Sequence, residues 1–138
     1  MSKLKSLKFV EAQQEQKLTP VEKARSLLLY NLNRQLAAAQ AMLKGEAYFE
    51  IRNEYVEDEN GQRVKKDVKK PIRKWYWRDL EGQVRFSLRI RNKAIEIQQD
   101  KTDILIGDEK QLVDAISVLI EAVGAGELDK QIENHIGK

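Results

Sequence analysis

The chain of 138 residues has no cysteine, one histidine and two prolines. Without cysteine it can form no disulfide, no thiolate-ligated zinc site and no cysteine nucleophile. His135 stands alone near the C-terminus with no carboxylate at ligand spacing, so it reads as a surface residue. Ser26, Ser87 and Ser117 lack the flanking glycines of a nucleophile elbow. Gly124-Ala125-Gly126 falls between two helical patterns and reads as a helix break rather than a phosphate loop. No run approaches the roughly 18 apolar residues of a membrane span. The basic start MSKLKSLKFV passes into EAQQEQK rather than into the apolar core of a signal peptide. The expectation is a soluble cytoplasmic protein, not an enzyme, with no metal, no cofactor and no membrane partner.

What the chain does have is charge, and charge unevenly placed. Lys and Arg number 25 against 22 acidic residues, a net of +3. Between Arg63 and Lys93, twelve Lys or Arg face only Asp67, Asp79 and Glu81, which leaves +9 there and −6 over the rest. Trp75 and Trp77, the chain's two tryptophans, lie in the same stretch with Tyr76 between them. Cations interleaved with aromatics suit an anionic polymer: guanidinium and ammonium groups take phosphates, and aromatic faces take bases. The candidate contacts are Arg73, Arg78, Arg85, Arg89 and Arg91, with Trp75 and Trp77 as stacking surfaces and Lys65, Lys66, Lys69 and Lys70 extending the track.

The order of local signals predicts an α+β fold. Residues 1–17 are a basic arm through Lys3, Lys5 and Lys8, or an extended segment laying Leu7 and Phe9 on the core. Residues 18–138 form one domain. A helix from about Pro20 to Lys44 opens with Thr19 as cap, Pro20 in its first turn and Glu22 closing a capping box. Val21, Leu28, Leu32 and Leu36 line its apolar face, and Gly45 ends it. Its thin run Ala37 to Ala39 with Ala41 suits close helix packing or self-association as a homodimer. A curved antiparallel sheet of about five strands follows, then an amphipathic helix capped by Asp108 and a short terminal helix with Leu128, Ile132 and Ile136 inward.

Register decides which side chains share a face. Gly61 in Asp58-Glu59-Asn60-Gly61-Gln62 suits a three-residue bulged loop, which sets Val56 opposite Val64, Glu54 opposite Lys66 and Glu50 opposite Lys70. Val84, Phe86, Leu88 and Ile90 alternate with Arg85, Ser87, Arg89 and Arg91, so the arginines are expected to face solvent. A turn at Asn92-Lys93 sets Ile90 opposite Ile95 and Arg89 opposite Glu96. For the strand Ile72 to Arg78 two readings stay open. A two-residue turn at Leu80-Glu81 buries both tryptophans, and a bulged loop on Gly82 puts both on the cationic face with Tyr76 inward.

The layout SKLKSLKF, KARSLLLYNL, KKPIRKWYWRD, LRIRNKAIEI and VGAGELD resembles a family of small bacterial and phage-borne proteins of unknown function. That resemblance implies a prokaryotic or mobile-element setting and no activity. Over Lys74 to Val123, KWYWRDLEGQVRFSLRIR followed by an amphipathic helix is similar in layout to the Pur-alpha and Whirly type of single-strand-binding folds. Those imply a curved sheet with a basic-aromatic face and often a dimer. Two functions follow as expectations. The first is a non-catalytic module for single-stranded DNA or RNA with weak sequence preference. The second is a phage or mobile-element module that docks an acidic protein partner through the same basic face.

Overall fold

The structure is a computed structural model that describes residues 3–14 and 17–137; Met1, Ser2, Glu15 and Gln16 of the amino-terminal arm, and Lys138, lie outside them. The fold is α+β. Helix α1 (Pro20–Leu43) begins as its sequence dictates. The Thr19 hydroxyl accepts the Glu22 N–H, and the Glu22 carboxylate accepts the Thr19 N–H, each at 3.2 Å. Thr19 thereby holds the Glu22 carboxyl below its ordinary pKa. Gly45 closes the helix at φ 73°, a conformation that side chains with a Cβ resist. Over 24 residues α1 runs for about 36 Å.

Seven strands follow among the described residues: β1 (Phe49–Glu57), β2 (Arg63–Pro71), β3 (Tyr76–Arg78), β4 (Val84–Ser87), β5 (Arg89–Ile90), β6 (Lys93–Ala94) and β7 (Asp103–Gly107). They form three small sheets and not the single curved sheet expected: β1–β2, β3–β4–β7 and β5–β6. A 3-10 turn capped by Asp108 leads into α2 (Leu112–Gly124), and α3 (Asp129–Ile136) ends the described chain. No helix among the described residues is long and apolar enough to cross a membrane.

The two similar turns fold alike. Asp58 and Asp79 each accept two backbone N–H groups on one carboxylate oxygen, and Gly61 and Gly82 take φ 77° and 79°. Both loops are therefore the three-residue bulged kind. β1 and β2 pair in the expected register, with Val56 opposite Val64, Glu54 opposite Lys66 and Glu50 opposite Lys70. None of residues 49–71 is buried. The hairpin is an arm about 30 Å long, met near its base by Arg34 of α1 on Glu50.

The core lies under α1. Leu28, Leu32, Phe86, Leu88, Ile95, Leu112, Ile116, Val123 and Ile132 are all almost wholly buried. α1 packs on α2 and α3 and touches β5. The Arg25 guanidinium, bidentate on Asp129, ties α1 to α3. Val84, Phe86, Leu88 and Ile90 point inward as the alternation requires. Leu7 and Phe9 do not dock on the core: they are 60% and 73% exposed. Ile136 is also more exposed than its helical spacing suggests, at 36%.

Candidate nucleic-acid interface

The basic stretch does not make one face; it divides among three places. The first is the outer side of β3–β4–β7. The bulged register sets Trp77 opposite Arg85 and Tyr76 opposite Phe86, so Trp77 points out and Tyr76 in. Leu105 completes the row on β7. The cations here are already engaged. Arg85 donates to Asp79 at 2.9 Å and to Asp103 at 3.1 Å. Arg78 binds the Glu109 carboxylate and the Gly82 carbonyl. The hydrogen bond from Arg85 holds the Asp79 carboxyl below the usual range, and Asp79 raises Arg85 in turn. This face is aromatic and apolar, with its charge locally balanced.

The second place is the hairpin arm. Lys65, Lys66 and Lys69 are exposed on β2. Lys65 lies over the Tyr55 ring at 5.3 Å, and Lys70 pairs with Glu54 at 3.4 Å. Neither Lys66 nor Lys69 has an ion-pair or hydrogen-bond partner among the described residues.

The third place is a cleft of about 290 Å³ between α1, β1, the 72–75 segment and the β5–β6 turn. Arg73, Arg89 and Arg91 of the basic stretch line it, and so do two arginines the sequence pattern did not single out, Arg34 on α1 and Arg52 on β1. Trp75 contributes the remaining aromatic surface, with Asn31, Gln35 and Asn92 as polar wall. The one carboxylate bonded among these arginines is Glu50. Arg34 grips it through Nε and a second guanidinium nitrogen, and Arg52 approaches it at 4.0 Å. Five arginines against one carboxylate leave a net of +4 at the cleft.

The arginines differ in how they are held. Arg89 donates to Ser87 Oγ at 3.0 Å and to the Asn92 carbonyl at 3.1 Å. Arg34 donates to Asn31 Oδ1 at 2.7 Å besides its grip on Glu50. The Glu50 bond raises the Arg34 pKa, and the same bond lowers that of Glu50. The Arg73 and Arg91 guanidiniums have no partner among the described residues. Two fixed arginines and two without partners give the cleft a cationic surface with donors already in place.

Three expectations are corrected here. Arg91 is exposed as expected, but Arg89 is half-buried, and both line a cleft whose opposite wall is α1 rather than an open sheet face. The strand expected from Ile72 starts only at Tyr76, so Trp75 escapes the alternation. It is buried at 7% exposure, edge-on to Phe86 with ring centroids 6.2 Å apart, while Trp77 is exposed; neither reading of the pair holds for both. The last hairpin turns one residue earlier than expected. Arg91 and Asn92 take φ 53° and 65°, Arg89 faces Ala94, and Leu88 accepts the Ile95 N–H at 2.7 Å. That slip moves Ile95 from Ile90 to Leu88 and removes Glu96 from Arg89. Glu96 accepts the Asp100 N–H instead.

No family model matches the chain, and no curated protein or solved structure is significantly similar to it.

Proposed function

We propose that this protein is a non-catalytic module that binds single-stranded DNA or RNA, with its phosphate contacts centred on the arginine cleft. The observation that carries the reading is the convergence of Arg34, Arg52, Arg73, Arg89 and Arg91 on one cleft with Glu50 as the sole bonded carboxylate. Like charges gather at a cost unless an anion answers them. Guanidinium pairs suit phosphate because their fork donates two parallel hydrogen bonds. Lys66 and Lys69 on the arm offer further phosphate contacts. Trp77 offers a face for stacking. Sequence preference is expected to be weak, because contacts to phosphate position a strand without reading its bases.

The test is fluorescence anisotropy of a labelled single-stranded oligonucleotide against salt. Arg73→Glu with Arg91→Glu removes two unpartnered charges from exposed positions, and circular dichroism checks that the fold persists. Binding to the unaltered protein should fall log-linearly with salt, and the double variant should lose about 30-fold or more in affinity. No binding by the unaltered protein at about 50 mM salt overturns the reading. The cleft would then belong to an acidic protein partner.

A further inference from the structure

The hairpin arm has two outer edges, and they are built differently. A strand edge presents unpaired N–H and C=O groups, which proteins guard with lysine and proline. The outer edge of β2 is guarded by Lys65, Lys66, Lys69, Lys70 and Pro71. β1 has neither residue type in Phe49–Glu57, and Ile51 and Tyr55 on it are 69% and 59% exposed. No strand pairs with its outer edge among the described residues.

The β1 sequence is complementary to itself. When a second β1 is laid antiparallel with Asn53 on Asn53, Ile51 falls opposite Tyr55 and Arg52 opposite Glu54, each pairing occurring twice. Backbone parity agrees with this register. The Asp58 N–H donates to the Gln62 carbonyl at 2.8 Å, and the Asp58 carbonyl accepts the Gly61 N–H at 3.1 Å. Even-numbered residues of β1 therefore turn their amides toward β2, and Ile51, Asn53 and Tyr55 turn theirs outward. The register about Asn53 uses those outward amides. It also leaves Arg52 and Glu54 at the sites between hydrogen-bonded pairs, where opposed side chains approach closest. The same operation on β2, about Asp67, sets Lys65 against Lys69 and repels.

We propose that the protein is a homodimer formed by antiparallel pairing of β1 with β1 of a second copy, about a two-fold axis at Asn53. The product is a four-stranded sheet ordered β2–β1–β1–β2, isologous as a two-fold interface must be. Its middle joins the Ile51 and Tyr55 side chains of both copies on one face. On the other face Arg52 of each copy meets Glu54 of the partner subunit. Both outer edges are then the lysine-guarded β2 strands, so assembly stops at two.

Sedimentation velocity and chemical trapping test this. The unaltered chain should sediment as a dimer. Arg52→Glu alone and Glu54→Arg alone should each weaken dimerisation about tenfold or more, by opposing like charges twice, and the combined exchange should restore it. Arg52, Asn53 and Lys66 are exposed on the arm and Glu54 is half-exposed beside Lys70, so circular dichroism checks that each variant keeps the fold. The chain has no cysteine, so Asn53→Cys introduces a single thiol. The axis brings the two Cα atoms to about 5.5 Å, within disulfide range, and mild oxidation should give a covalent dimer. Lys66→Cys on the far strand should not. A monomer at all concentrations overturns the proposal. So does a dimer that ignores the charge reversals and leaves the thiol at position 53 uncrosslinked, which would put the interface elsewhere. None of these readouts depends on nucleic acid.

Discussion

Gln35 closes two backbone groups that a neighbouring strand would ordinarily close: its Oε1 accepts the Trp75 N–H and its Nε2 donates to the Arg73 carbonyl, both at 2.9 Å. Gln35 is buried on the core face of α1, 3% exposed. One amide thus stands in for a β-ladder where the chain leaves the arm and enters β3, and it fixes Arg73 and Trp75 on the cleft wall. Replacing Gln35 with Ala strands a donor and an acceptor. Each unsatisfied group should cost about 1–3 kcal/mol in urea denaturation. Gln35→Glu keeps the acceptor but faces the Arg73 carbonyl with a carboxylate, and should destabilise as well. Unchanged midpoints for both variants would show that the bonds do not form.

The same residue explains what the sequence could and could not reveal. α1 was legible because its start is local: Thr19, Pro20 and Glu22 write the cap within four residues. The Asp-x-x-Gly loops were legible for the same reason, and with them the register of β1 on β2. The alternation from Val84 to Ile90 named the inward residues. The break at residues 72–75 was not legible, because the partner that makes it affordable lies 40 positions earlier. The last turn was misplaced by one residue because both registers set Ile95 opposite an inward residue, Ile90 or Leu88, so the burial pattern does not choose between them. Arg34 and Arg52 were missed because only tertiary folding brings α1 and β1 to one cleft. Arg52 alone gave a hint, as the single cation in a strand with three glutamates.

Leu32 reports on the seam between α1 and the rest of the core. It is wholly buried, and Leu27, five residues earlier on the cleft side, is 46% exposed. Leu32→Ala should cost about 2–5 kcal/mol, through lost burial and the cavity left behind. Leu27→Ala should stay within about 0.5 kcal/mol. Equal losses at the two sites, measured by denaturant unfolding, would contradict the observed packing.

Glu50 couples stability to acid. Its carboxyl lies below the ordinary range because Arg34 hydrogen-bonds the ionised form. A carboxyl with a lower pKa in the folded than in the unfolded chain stabilises fully above its unfolded value, and that contribution disappears as pH falls through the folded one. The melting temperature should therefore drop on acidification below about pH 4–5. Asp79, lowered mainly by Arg85, adds to the same trend. In Glu50→Gln the acid-sensitive part should shrink while the curve near neutrality sits lower. A Glu50→Gln profile parallel to the unaltered one would show that the Arg34 contact contributes nothing.

Arg91 sets stability against binding. It occupies φ 53° at the tip of the β5–β6 turn, a conformation costing a residue with a Cβ roughly 1–2 kcal/mol. Glycine is the residue such a turn ordinarily prefers, and Arg91 has no partner among the described residues to offset the strain. Its guanidinium lines the cleft, so under the proposed function the strained turn would aim an arginine at a phosphate. Arg91→Gly should leave the melting temperature unchanged or raise it, since relieved strain competes with the greater freedom of the unfolded chain. The same change should weaken oligonucleotide binding several-fold and reduce the salt slope by about 0.7, the loss of one phosphate contact to a single strand. Asn92→Gly is the control. It relaxes the same turn at φ 65° and removes no charge, so stability should respond and the salt slope should not. If Arg91→Gly leaves binding and slope untouched, Arg91 contacts no phosphate and its strained conformation serves only the β5–β6 turn.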